Sequence, residues 1–291
     1  MTSSPGARLA LTENRFDTGV VTINYGEGSD NGPPVILLHG IGRNWRDFLT
    51  LLPAFEQWHV FALDLRGHGK SSRVPPEYRS GDYATDVTAF LQHKIRLPAV
   101  ILGHSLGGLV AMHVAARLPD RVRAIIIGDS ALSYDTLVDS MYHTLFTGLY
   151  RIVRQGGSPR DMAERLAALE IPLPGVSERV PIGELLGNEA ELLKWAESLE
   201  QVDPDAMRAT VEGRTFEDFH FETLLSRIGC PVLILQANPE LGGLMSDSTT
   251  EAVLKLVPLA RLVRFPLLGH ALHLQRAQPV IDAILKFLAS V

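Results

Sequence analysis

The sequence predicts an α/β protein built on a mostly parallel, eight-stranded sheet flanked by helices. Short apolar runs alternate with longer helical patterns over the first 130 residues, as in strand–helix–strand crossovers. Four of those runs are continuously apolar rather than alternating, as strands buried on both faces should be. The alternation resumes near residue 231, after a long stretch without a strand-like run.

Two strands are expected near residues 8–14 and 19–25, then four at 34–39, 59–63, 99–103 and 123–128. Helical patterns fall near 45–53, 80–96 and 106–117. In the third, Leu106, Leu109, Val110 and Val114 share one stripe, while Gly107, Gly108, Ala111, Ala115 and Ala116 allow close approach to a sheet. Pro119 and Asp120 then stop it. From 133 to 227 the spacing of Met141, Leu145, Leu149, Ile152 and Val153 is helical, and Pro172, Pro174 and Pro181 break the chain. A strand at 231–236, a helix near 248–257, a strand at 261–265 and a last helix with Val280, Ile281, Ile284, Leu285 and Leu288 on its apolar face complete the pattern. The organisation expected is a core of residues 1–132 and 229–291 with a helical insertion at 133–228.

Composition narrows the partners. Of 291 residues, 46 % are hydrophobic, enough for a substantial core, and 27 basic against 33 acidic residues leave a net charge of −6. That balance disfavours nucleic acid, whose binding needs a basic stripe, and leaves a small molecule as the expected partner. A single cysteine, Cys230, cannot close an intramolecular disulfide, and no Cys/His cluster offers a metal site. The stretch from Met1 to Gly6 lacks a secretory profile, and no apolar run reaches the 18 or more residues of a membrane span. A cytoplasmic protein, monomer or homodimer, without metal or organic cofactor is the expectation.

The segment Val100-Ile101-Leu102-Gly103-His104-Ser105-Leu106-Gly107-Gly108 sets GxSxG between a buried strand and a helix. Strand, serine, helix is the context of a nucleophile elbow, which lifts the Ser105 hydroxyl to a helix N-terminus where free N–H groups favour an anion. Serine needs a base. Of ten histidines, His270 in Leu268-Gly269-His270-Ala271 follows the last strand, at the carboxyl edge where open α/β sheets bind ligands. His273 is its nearest rival, with packing the simpler role; His104 is expected to pack behind the nucleophile. An oxyanion hole needs two backbone donors: the Leu106 N–H, and the Ile41 N–H from the glycine-flanked turn Leu38-His39-Gly40-Ile41-Gly42. His39 is expected to hold that turn by hydrogen bonding.

The ordered set HGxG at 39–42, DLRGHGKS at 64–71, GHSLGG at 103–108 and GH at 269–270 resembles the α/β-hydrolase superfamily everywhere outside the insertion. The resemblance implies that 133–228 forms a helical cap over the active site and that Asp64 to Ser71 is a structural turn. It sets the chain apart from the epoxide hydrolases and haloalkane dehalogenases of this fold, which carry an aspartate where this chain has Ser105.

The acid that orients His270 is the open point. The family usually supplies it in a GxxD turn after the strand following the cap, but here the sequence reads Gln236-Ala237-Asn238-Pro239-Glu240, with Glu240 in the acid's place. Asp247 is a weaker candidate that could instead cap a helix. Asp129, in Gly128-Asp129-Ser130 at the end of the strand before the insertion, is preferred because a rigid strand end beside the elbow suits the task. For the pocket, Trp45, His104, Met141, Tyr142 and Phe146 are the candidates. The leading functional expectation is a serine hydrolase of a carboxylic ester or lactone; a C–C bond hydrolase or lyase on a ketone, and a non-catalytic small-molecule receptor of this fold, are the alternatives.

Overall fold

The computed structural model describes residues 10–291; the first nine, including Met1 to Gly6 and the start of the strand expected at 8–14, lie outside the described residues. Eight strands form one sheet: β1 (Thr12–Asp17), β2 (Thr22–Glu27), β3 (Pro34–Leu38), β4 (His59–Leu63), β5 (Ala99–His104), β6 (Val122–Gly128), β9 (Val232–Ala237) and β10 (Ala260–Phe265). Their order is β1-β2-β4-β3-β5-β6-β9-β10. β1–β2 and β2–β4 pair antiparallel and every other pair is parallel. The two remaining strands, β7 (Glu170–Ile171) and β8 (Val180–Pro181), form a separate antiparallel pair inside the insertion. It is too short to leave a period-2 signature.

The continuous apolar runs have a direct cause. Val35 and Leu37 face one apolar layer while Ile36 and Leu38 face the other, and β5, β6 and β9 repeat this with Val100 and Ile101, Ile126 and Ile125, Leu233 and Ile234. Both faces of such a strand are buried along nearly its whole length, Arg123 near the start of β6 being the exposed exception, so no polar alternation appears. α1 (Ser80–His93) and α2 (Leu106–Arg117) cover one face. The insertion holds α3 (Tyr134–Val138), α4 (Met141–Gln155), α5 (Pro159–Ala167), α6 (Ile182–Leu186), α7 (Glu189–Glu200), α8 (Pro204–Val211) and α9 (Phe221–Leu225). α10 (Asp247–Leu256), α11 (Leu272–Gln275) and α12 (Ala277–Leu288) follow.

Two helix readings are corrected. The stretch expected as a helix at 45–53 is a 3-10 helix, Trp45–Phe55, with Pro53 inside it; proline there can neither donate to an α-helical ladder nor clear the carbonyl four residues back. On α12 the inward face is Val280, Ile281, Ile284, Phe287 and Leu288, with Leu285 exposed. The turn at Asp64 is structural, as expected: its carboxylate accepts from Trp45 N (2.9 Å), Lys70 N (3.0 Å) and Asn24 Nδ2 (2.8 Å).

Candidate active site

Parallel pairing brings three chain segments to one point. β5 ends at His104, opposite Gly128 of β6, and Gly128 lies opposite Leu235 of β9. The residues just beyond those ends, Ser105 and Asp129, are therefore neighbours at the carboxyl edge. Both have positive φ, 54° and 39°, and are the two non-glycine residues in that region among those described. Such strain concentrates at functional positions and persists only when the surroundings enforce it. Around Ser105 they do: a Cβ on Gly103 would overlap the Gly107 carbonyl, and a Cβ on Gly107 would overlap that of Leu38, so strand and helix meet closely enough to force the turn.

The Asp129 side chain is fully buried. Its oxygens accept from the backbone N–H groups of Leu244 (2.8 Å), Met245 (3.2 Å) and Ala237 (3.3 Å), and one lies 2.7 Å from His270 Nδ1. With Nδ1 donating to Asp129, the Nε2 lone pair of a neutral His270 is free to take a proton. His270 and Ser105 line the same cavity. His104 Nε2 donates to the His270 carbonyl at 2.9 Å, pinning the histidine loop from below. Burial first, and then the neighbouring His270 and His273, hold the His104 imidazole well below its ordinary pKa, so it stays neutral. The Tyr142 ring sits 4.7 Å from that of His270, and burial raises its hydroxyl above the usual phenol value.

His39 holds the adjoining loop as expected. Its Nδ1 donates to the Gly40 carbonyl (2.8 Å), its Nε2 accepts from Leu65 N (3.0 Å), and burial lowers its pKa to about 4. Gly40 then abuts Ser105. Among the described residues, no backbone acceptor takes the N–H of Ile41 or of Leu106.

A profile described as the alpha/beta hydrolase fold matches residues 33–277. The chain belongs to the α/β-hydrolase family. A curated relative, the 2-(acetamidomethylene)succinate hydrolase of Mesorhizobium japonicum, is 34 % identical over 116 residues, 40 % of this chain and 41 % of that one. The pimeloyl-[acyl-carrier protein] methyl ester esterase of Neisseria meningitidis is 44 % identical over 94 residues, 32 % of this chain and 34 % of that one. Each match thus spans less than half of the relative. Similarity of fold extends further: the structure of an E-2-(acetamidomethylene)succinate hydrolase has a TM-score of 0.73 at 23 % identity over 96 % of this chain and 99 % of the other. The enol-lactonase of Burkholderia xenovorans has 0.73 at 17 % identity over 95 % and 100 %.

In this α/β hydrolase the cavity above Ser105 measures about 330 Å³. Met141, Tyr142, Phe146 and His104 line it. Trp45 does not. It packs against Gly26 in the apolar layer opposite the one that holds Ile41. Glu240 is also corrected: it lies exposed in the 3-10 turn Pro239–Leu241 and makes no contact with His270. Asp247 accepts from Gln236 Nε2 (3.0 Å), while Ser246 caps α10. Arg43 escaped the sequence reading. Its guanidinium stacks on Trp195 (4.4 Å) and faces Asp47 (3.6 Å) within the cavity wall, and a charged residue directly after the HGIG turn was the available signal.

Proposed function

We propose that this protein is a serine hydrolase that cleaves a carboxylic ester or lactone of a small, apolar molecule through an acyl-enzyme on Ser105. Residues 133–228 act as the cap, supported by the side chains of Met141, Tyr142 and Phe146 over Ser105. Ser105 Oγ attacks the carbonyl carbon and its proton passes to His270 Nε2; the oxyanion is held by the Ile41 and Leu106 N–H groups. Collapse of the tetrahedral intermediate breaks the bond to the leaving oxygen, which takes the proton from His270. Water then attacks the acyl-enzyme with the same imidazole as base, restoring Ser105 and releasing the acid.

The observation that carries this reading is the 2.7 Å contact between His270 Nδ1 and a fully buried Asp129 at the end of the strand next to the elbow. Both the hydrolase and the esterase named among the relatives fit it, as does the lactonase of like fold. The test is turnover of p-nitrophenyl acetate and butyrate by wild type and Ser105→Ala. Loss of turnover in the variant is expected; full activity without Ser105 would overturn the assignment.

A further inference from the structure

Two cavities open on Ser105, and they differ in size and in which catalytic group they reach. The larger, about 330 Å³, runs past His270, Ala271 and Leu274. The smaller, about 20 Å³, lies on the Leu106 side among Leu109, Leu137, Phe216 and Leu244 and does not touch His270. Ile41, Ser105 and Phe146 belong to both walls. A volume of that size holds about one water-sized group.

Acyl transfer fixes which part of the substrate enters which cavity. The leaving oxygen must receive its proton from His270, so the leaving group lies on the His270 side of the tetrahedral carbon. The oxyanion points to the Ile41 and Leu106 N–H groups, and the acyl substituent takes the remaining direction, away from the imidazole. We infer that the preferred substrate is an ester of a very short acyl group, formyl or acetyl, with a long apolar alcohol. This rests on the Ser105–His270 reading and deepens it.

The far end of the larger cavity supports the same assignment. Beyond it lies a groove of about 550 Å³ that shares Leu173, Leu185, Leu241 and Gln275 with the cavity wall. Six exposed large apolar side chains, Val176, Leu185, Leu186, Leu241, Leu267 and Leu274, surround cavity and groove, Leu267 being 72 % exposed. Apolar exposure gathered at one place marks a binding surface. Its continuity with the leaving-group side of Ser105 names the occupant: the distal part of the alcohol chain.

The test is a pair of isomers, hexyl acetate and ethyl hexanoate, which contain the same atoms with the long chain on opposite sides of the ester. At least about tenfold higher kcat/KM for hexyl acetate is expected. Equal rates, or preference for ethyl hexanoate, would overturn the inference while leaving the serine hydrolase intact. Leu241→Arg, at an exposed groove position, should lower kcat/KM for hexyl acetate several-fold more than for ethyl acetate. Phe216→Ala, which widens the small chamber, should raise ethyl butanoate relative to ethyl acetate. Cleavage of neither isomer, together with no labelling of Ser105 by a fluorophosphonate, would remove the underlying function as well.

Discussion

One oxygen of the Asp129 carboxylate lies 2.7 Å from His270 Nδ1 and 2.8 Å from the Leu244 N–H, while the other accepts from Met245 and Ala237. Three backbone donors thus hold a buried carboxyl group that also contacts the imidazole. Two of the donors, Leu244 and Met245, come from the loop after β9. An acid held this way keeps its geometry without mobile partners.

Asp129→Asn should therefore cut kcat by about 10³–10⁴-fold, because an amide cannot hold the imidazole in the productive tautomer or balance its positive charge. Glu240→Gln, at an exposed position away from His270, should leave kcat within about twofold. Steady-state kinetics on p-nitrophenyl acetate separate the two; a crippled Glu240→Gln would reassign the acid.

Gly107→Ala should damage folding before it damages chemistry. The added methyl would overlap the Leu38 carbonyl, a backbone atom of a central strand that cannot step aside. Overpacking of this kind costs about 1–3 kcal/mol, and a fall in Tm of roughly 2–12 °C follows for a chain of this size. An unchanged melting curve would show that the elbow has slack.

His273 offers a test of pH dependence. It is buried, stacks on Phe48 with ring centres 5.6 Å apart, and has no partner for Nε2. Burial, then Arg43 and His270, lower its pKa to about 3. Its folded pKa lies below its unfolded one, so its contribution is fully present above about pH 6.5 and is lost as pH falls toward the folded value. The unfolded chain then binds a proton that the native chain refuses, a loss on the order of 1 kcal/mol per pH unit. His273→Phe removes the group. Urea titrations of both proteins should show a constant stability difference above about pH 7 and a growing relative advantage for the variant between about pH 6.5 and 5; a difference independent of pH would contradict the burial argument.

Much of this was legible in the chain. The continuous runs of β3, β4, β5 and β6 announced a sheet buried on both faces, and the Gly103-His104-Ser105-Leu106-Gly107 segment located the elbow, because only glycine fits where helix and strand touch. Asp129 was preferred for its place at a rigid strand end, while the Leu244 and Met245 donors that hold its side chain are backbone groups and leave no mark in residue identity. Trp45 was misplaced because proximity in sequence to the Ile41 turn says nothing about which side of the sheet an aromatic ring enters. The pair β7–β8 and the wall it helps build were invisible, since two residues cannot display a period. Arg43 was passed over because a single charge beside a glycine turn reads as a solvated surface residue until Trp195, far along the chain, is seen stacked on it.

The central claim is that Ser105 is the nucleophile, and covalent labelling tests it most directly. Native protein treated with a fluorophosphonate and digested should carry the adduct on the Ser105 peptide alone, with labelling slowed by several orders of magnitude in His270→Ala and absent in Ser105→Ala. An adduct on another residue, or undiminished labelling of Ser105→Ala, would contradict the account.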